Sequence, residues 1–161
     1  MSQSALPDTS ALAKLSFDLS LRSLDQQESS LNDLRARTGT LVAAASVVTS
    51  FLGGAAIANA GFDVWSVLAL IAFIASIALA TWVLLPKGHL VFGVKGSALY
   101  EDEIRADVFD IAETHRRLSY WLDDFHEEND PKVKQLFAAY RAATVALLAE
   151  VVFWSLQLAV S

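Results

Sequence analysis

The sequence predicts an all-α integral membrane protein, a helical bundle with three transmembrane helices. No charged residue occurs between Arg37 and Asp63, and none occurs between Asp63 and Lys87. A third block, residues 142–160, is also mostly apolar. A helix needs about 20 apolar residues to cross a hydrocarbon core of about 30 Å. Because lipid cannot bond to the backbone, each of these blocks must close its own hydrogen bonds as a helix.

The first two spans, residues 38–60 and 64–86, are predicted to form a tight hairpin. The segment between them, residues 59–63, has the composition of a short turn. Small residues recur every four positions in both spans and let membrane helices approach closely. These residues are Ser46, Ser50 and Gly54, with Gly53 beside them, in the first span, and Ala72, Ser76 and Ala80 in the second.

Composition excludes several classes of function. The 161 residues carry a net charge of −6, which argues against nucleic-acid binding, since that requires a basic face. No cysteine is present, so the chain has neither a disulfide framework nor a thiolate zinc site. We find no phosphate-binding glycine loop, nucleophile elbow or zinc-protease helix. We therefore expect no enzyme activity, no cofactor and no metal.

The positive charges predict the orientation. All 12 Lys and Arg residues lie before the first span or between the second span and the third apolar block. The turn between the first two spans contains only Asp63. The positive-inside rule then gives a multi-pass protein of the cell inner membrane. Its N-terminus and residues 87–131 are expected in the cytoplasm, and its C-terminus outside.

Outside the hairpin, the chain is predicted to be helical. Residues 1–37 contain a cytoplasmic helix that continues without a breaker into the first span. Residues 87–131 are predicted to hold a loop and an amphipathic helix, from about Ser97 to Glu128. Pro131 is expected to end that helix and to start the next, because proline suits the first turn of a helix. Residues 132–161 then form a third helix that passes from the cytoplasm into the membrane.

The amphipathic helix carries a narrow apolar seam with alternating steps of four and three residues. This cytoplasmic seam consists of Ile104, Val108, Ile111, His115, Leu118, Leu122 and Phe125. Such a helix is stable only when it packs against a partner. The candidates are the N-terminal helix, the start of the last helix and the same helix of another copy. We interpret His115 as a packed interface residue, with a pH switch as the alternative.

Glu150 is the one charged residue of the third apolar block. An ionised carboxylate in mid-bilayer costs about 2.5–3.5 kcal/mol on insertion scales, so Glu150 is expected to be protonated, paired or turned to a polar cavity. With Gln157, Ser46 and Ser50 it forms the predicted intramembrane polar site, and Thr49 is a further hydrogen-bond candidate. Two interpretations stay open: a proton- or ion-responsive or pore-lining group, and a neutral acid that locks helices together. The block itself either spans the membrane, as its lack of a polar face favours, or lies in the interface.

The segment from Leu31 to Leu41 runs directly into the first span and is followed by the close hairpin and by helices after Pro86. This arrangement resembles small bacterial membrane effectors of the SLATT and Pycsar-effector type. The resemblance covers topology over most of the chain and assigns no individual site residue. It implies a protein that oligomerises and perturbs the inner membrane in anti-phage signalling.

The resulting functional prediction is an oligomerising membrane effector or pore-forming protein that is controlled through its cytoplasmic helices. Its expected partners are the lipid bilayer and further copies of the chain. One alternative is a membrane-anchored scaffold that docks a cytoplasmic protein through its helical bundle. A further alternative is a proton- or ion-coupled transport subunit that uses Glu150.

Overall fold

The computed structural model describes residues 9–86, 90–93 and 110–160, and every regular element in these ranges is a helix. The elements are α1 (Thr9–Val48), a π-helical segment here called the π turn (Thr49–Gly53), α2 (Gly54–Ala60), α3 (Val64–Leu84) and α4 (Ile111–Val160). The predicted all-α class is confirmed for the described residues. Three helical stretches are long and apolar enough to cross a membrane: Thr9–Asn59, Val64–Leu84 and Ile111–Val160.

The first helical stretch is continuous from α1 through the π turn into α2, as predicted. The stretch ends at Gly61, whose N–H donates to the carbonyl oxygen of Ile57 at 2.9 Å. Gly61 has a φ of 77°, in the region that favours glycine because a Cβ would be strained there. The predicted turn between the first two spans is therefore confirmed, and Gly61 provides the change of direction.

Asp63 begins α3 with a capping box. Its carboxylate accepts the backbone N–H groups of Trp65 and Ser66 at 2.9 and 3.1 Å, and the Ser66 hydroxyl faces the Asp63 N–H at 3.5 Å. These contacts satisfy N–H groups that a helix start leaves without partners. The second helix of the hairpin thus starts at Val64, as predicted, and ends at Leu84, two residues before the predicted end at residue 86.

The last helix, α4, begins after Asp110, whose carboxylate accepts the N–H of Ala112 at 2.9 Å. The predicted start of the amphipathic helix near Ser97 lies outside the described residues. From Ile111 onwards α4 is one helix of 50 residues with Pro131 inside it. The predicted break at Pro131, and with it a separate third helix, is therefore wrong.

The side chain of Asn129 helps to explain why the helix continues through Pro131. Asn129 is buried, and its amide makes two hydrogen bonds to the backbone of Val91, at 2.7 Å to the carbonyl oxygen and 3.3 Å from the N–H. It is therefore engaged with Val91 instead of capping a new helix. A proline inside a helix costs about 3 kcal/mol or more. The buried Val133 and Leu136 on the next turn contribute the packing that offsets this cost.

The chain forms two compact units, Met1–Ser30 with Gly88–Lys132 and Leu31–Lys87 with Val133–Ser161. In the first unit, Phe17 stacks on His115 with ring centroids 5.3 Å apart, and the Gln27 amide donates to the His126 carbonyl oxygen at 3.4 Å. Because later residues of α1 meet later residues of α4, the two helices run parallel in this unit. In the second unit, α1, α3 and α4 pack around Leu41, Ala80 and Ala143.

The buried face of α1 follows alternating steps of four and three residues, the spacing of a coiled-coil seam. Its members are Ser20, Leu24, Gln27, Leu31, Leu34, Thr38, Leu41 and Ala45. Three of these residues, Ser20, Gln27 and Thr38, are polar, so this buried face of α1 is less apolar than a typical coiled-coil seam.

Candidate functional site: a buried carboxylate at the π turn

Glu150 lies in the interior of the second unit. Its side chain is fully buried, with a relative exposure of 0%, and the Thr49 hydroxyl donates to its Oε1 atom. Its Oε2 atom has no hydrogen-bond partner among the described residues. Residues 38–86 and 142–160 contain no Lys, Arg or His, so these segments supply no cation to the carboxylate. The site is therefore a buried acid held by a hydroxyl group.

Trp154 lies one helical turn beyond Glu150 on the same face of α4. The residue is buried, and its indole N–H lies beside the Glu150 carboxylate, although its Nε1 atom makes no hydrogen bond. The six-membered ring of Trp154 lies so close to Gly53 that a Cβ there would be 2.9 Å from Cζ2. Glu150 and Trp154 thus meet the first and last residues of the π turn, Thr49 and Gly53.

The π turn determines which side chains of the first helix face α4. With the steps of the seam continued from Ala45, an uninterrupted α-helix would turn Val48 and Leu52 inward. The π turn contains one additional residue relative to an α-helix, and Gly53 and Ala56 are buried, whereas Val48 and Leu52 are half-buried and pack against the core formed by Ala56, Ala69 and Trp154. The extra residue therefore adds Gly53 to the packed face, where it leaves space for an indole, beside Thr49, which follows the buried Ala45 by four residues.

A second buried polar group, two turns further along α4, joins that helix to the hairpin turn. The Gln157 Nε2 donates to the Gly61 carbonyl oxygen at 2.7 Å, and the Ser66 hydroxyl donates to Gln157 Oε1 at 2.6 Å. Gln157 and Ser66 are both buried. Since Ser66 also belongs to the capping box of Asp63, one amide side chain links α4 to the turn and to the start of α3.

The structure brings together only part of the predicted polar site. Ser46 and Ser50 are exposed and donate to carbonyl oxygens of their own helix, those of Val42 and Ser46, so neither reaches Glu150. Thr49, which the sequence offered as a further candidate, is the residue that does. Gln157 follows Glu150 by seven positions on α4, so the two side chains bind different groups.

The small residues of the second span pack as expected. Ala72, Ser76 and Ala80 are buried, and the Ser76 hydroxyl donates to the Ala143 carbonyl oxygen at 3.0 Å. In the first span Gly53 is buried, whereas Gly54 is exposed and has open space beside it. The packing face of the first span is therefore the one that contains Gly53, and Gly54 does not belong to it.

The cytoplasmic seam is described from Ile111 onwards; Ile104 and Val108 lie outside the described residues. Leu118 and Leu122 are buried, and His115 and Phe125 are partly buried. Ile111 is 59% exposed and does not pack into the seam. Among the partners considered, the N-terminal helix meets the seam, through the stack of Phe17 on His115.

Sequence reasoning did not identify Ser66, Gly61 or Asn129 as members of a polar network. The spacing of Asp63 and Ser66 was a local signal for the helix cap. No local signal connects Ser66 to Gln157, which lies 91 positions away. Within the described residues, no group of three His, Asp or Glu side chains is arranged to hold a metal ion.

Comparison with known proteins gives no family assignment, because no family model, curated protein or solved structure matches this chain.

Proposed function

We propose that this chain is a multi-pass inner-membrane protein that self-associates through its first unit and acts on the bilayer as an effector. Its three helices with the length and composition of spans support a place in the membrane. The positive charges support a cytoplasmic N-terminus and an outer C-terminus. In this arrangement the first unit faces the cytoplasm, where a signal or a second copy reaches it.

One surface of the first unit carries the proposal. Leu12, Leu15 and Leu19 follow each other at steps of three and four, so they lie on one face of α1. Their exposures are 54%, 54% and 56%. We call this surface the leucine edge. Burial of a leucine side chain contributes about 1.5–3 kcal/mol, so a partner that covers the three side chains gains substantial free energy.

The charges beside the leucine edge favour a second copy of the chain as this partner. Lys14, Asp18 and Arg22 alternate in sign at steps of four and lie along one flank of the edge. In a two-fold contact between identical helices, the acidic residue of each copy can face a basic residue of the other. The same leucine spacing on both copies also suits helix-to-helix packing. The leucine edge is therefore complementary to itself.

The test places negative charges on the edge. We expect the wild-type protein to be oligomeric in mild detergent, by light scattering, and to release dye from liposomes. Leu15→Glu with Leu19→Glu should give a monomer that releases no dye, because carboxylates at the interface lose the apolar contact and repel each other. Ser29→Glu with Asn32→Glu adds the same charge at exposed positions of the same helix, ten and thirteen residues after Leu19 and so away from the edge, and should behave as wild type.

A wild-type protein that is monomeric would contradict self-association, and an oligomer without dye release would contradict the effector role. The scaffold alternative is favoured by Tyr120 and Trp121, which are exposed on α4 of the same unit, since aromatic residues are enriched at protein interfaces. A monomer without dye release would favour this alternative. The transport role of Glu150 stays a prediction.

A further inference from the structure

We propose that Glu150, with Thr49 and Trp154, forms a proton-exchange site inside the second unit. In this site the carboxylate takes up one proton to become the neutral acid and releases it again. The inference rests on the contacts of this group and is independent of self-association through the first unit.

Two groups around Glu150 favour its ionised form. The Thr49 hydroxyl donates to Oε1, and the Trp154 indole N–H lies beside the carboxylate. An indole nitrogen can donate but cannot accept. A hydrogen bond to a charged group is stronger than one between neutral groups. The ionised carboxylate can therefore interact favourably with both donors. The neutral acid cannot donate its own proton to the indole nitrogen.

The surroundings favour the neutral form. Glu150 is fully buried and receives no cation from residues 38–86 or 142–160. An isolated charge in an apolar interior is costly unless it is paired. The neutral acid has an acceptor available in the Thr49 oxygen, since a hydroxyl both donates and accepts. Neither form therefore satisfies all of its neighbours, and this balance is what allows a proton to be exchanged.

The unpartnered atoms of the site are the direct sign of this balance. Glu150 Oε2 and Trp154 Nε1 are both buried, and neither makes a hydrogen bond. The indole nitrogen and the carboxylate therefore lie side by side on successive turns of α4 without a hydrogen bond of regular geometry. Such a group has room to bind and release a proton without a change in the packing around it.

Within residues 38–86 and 142–160, Asp63 is the one ionisable side chain besides Glu150, and Arg141 lies nine positions before Glu150 on α4. The Asp63 carboxylate caps α3 and lies two residues after Gly61. Gly61 is contacted by Gln157, which follows Glu150 by seven positions on α4, so Asp63 is distant from Glu150. At about 1.5 Å per residue, seven residues correspond to about 10 Å. Tyr140 packs in the cluster around Leu41, ten positions before Glu150 on α4. Glu150 can therefore be substituted without removing any of these groups.

Infrared spectroscopy of the full chain in nanodiscs, titrated from about pH 4 to about pH 10, tests the proposal. The wild type should show a protonated-carboxyl band that disappears as the pH rises, together with a change in tryptophan emission because Trp154 adjoins the charge. Because the 17 other Asp and Glu residues also contribute to the band, the signal of Glu150 is the difference between the wild type and Glu150→Gln. The variant should lack this part of the band and the change in tryptophan emission, while its circular dichroism spectrum stays unchanged. Trp65, Trp82 and Trp121 are retained in both proteins, so their contribution cancels.

Two variants of neighbouring residues test the proposal even if Glu150→Gln does not fold. Thr49→Val removes the hydroxyl donor with little change in shape, and Trp154→Phe removes the indole N–H together with part of the ring that packs at Gly53. Each should move the midpoint of the Glu150 carboxyl band by about one unit, a tenfold change in proton affinity. Ser50→Ala, which removes an exposed hydroxyl one position away, should not move it. A difference band between wild type and Glu150→Gln that is absent or constant over the whole range, or a midpoint that neither variant moves, would overturn the proposal and leave a structural acid.

Discussion

At the scale of single residues, the contact between Gly53 and Trp154 shows how closely the first helix approaches α4. The indole is 1% exposed and occupies the volume that any side chain at position 53 would need. The adjacent Gly54 has no neighbouring atom within 4 Å of the point where a Cβ would lie, so packing does not require a glycine at this position. The two glycines look alike in the sequence, and only one of them is required by packing.

This difference predicts opposite effects of the same substitution. Gly53→Ala should lower the free energy of unfolding by about 1–3 kcal/mol, because the added methyl group overpacks against the indole ring. Gly54→Ala is the matched control and should leave stability unchanged or raise it by up to about 1 kcal/mol, since alanine is the better helix former. Thermal or denaturant unfolding in detergent measures both. Equal losses for the two variants would contradict the close approach at Gly53.

At the scale of elements, the π turn is the feature that adapts one long helix to its neighbour. Upstream of it, the buried residues of α1 follow alternating steps of four and three. Ala45 and Gly53 are both buried and are eight positions apart, one more than two such steps allow. The additional residue is accommodated where the helix meets Glu150 and Trp154, and π-helical insertions of this kind occur frequently at functional sites.

A deletion and an insertion at one exposed position test this account. Removal of Phe51, which is 74% exposed, should restore regular α-helical spacing between Ala45 and Gly53 and leave both on the buried face. Insertion of one alanine after Phe51 should rotate Gly53 and all later residues of the helix by about 100° and misdirect them. We expect the deletion to lower the melting temperature less than the insertion does. A larger loss for the deletion would mean that the second unit cannot pack without the π turn.

At the scale of the whole molecule, the three candidate spans and the positive charges together predict one orientation. An uninterrupted α4 implies that the helix which begins after Asp110 also contains the third apolar block. An odd number of spans places the two termini on opposite sides of the membrane. The prediction is therefore a cytoplasmic N-terminus and an outer C-terminus.

Single cysteines test this orientation without background labelling, because the chain contains none of its own. Cysteines at Asn59 and Ser161 should react with an impermeant maleimide on intact cells, and a cysteine at Ser2 should react only after lysis. Labelling of all three in lysed cells controls for accessibility. Protection of position 161 in intact cells would show that the last apolar block lies in the interface instead of crossing the bilayer.

The sequence by itself determined the features that depend on local pattern. Uncharged runs of sufficient length established the helical class and the positions of the hairpin helices. The turn at residues 59–63, the continuity of the first helix and the small-residue face of the second span also followed from neighbouring residues. Glu150 was identified because a carboxylate in an apolar block is conspicuous whatever its partners are.

The tertiary structure decided everything that depends on which residues meet. It placed Thr49 instead of Ser46 or Ser50 at Glu150, because Thr49 lies on the face of the buried Ala45 and Ser46 and Ser50 are turned outward. It kept α4 continuous through Pro131, where Asn129 binds Val91 instead of capping a new helix. Both outcomes depend on partners far along the chain, 101 positions for Thr49 and Glu150 and 38 for Asn129 and Val91. A local pattern cannot show such contacts, because the energies that decide them arise only when distant segments pack together.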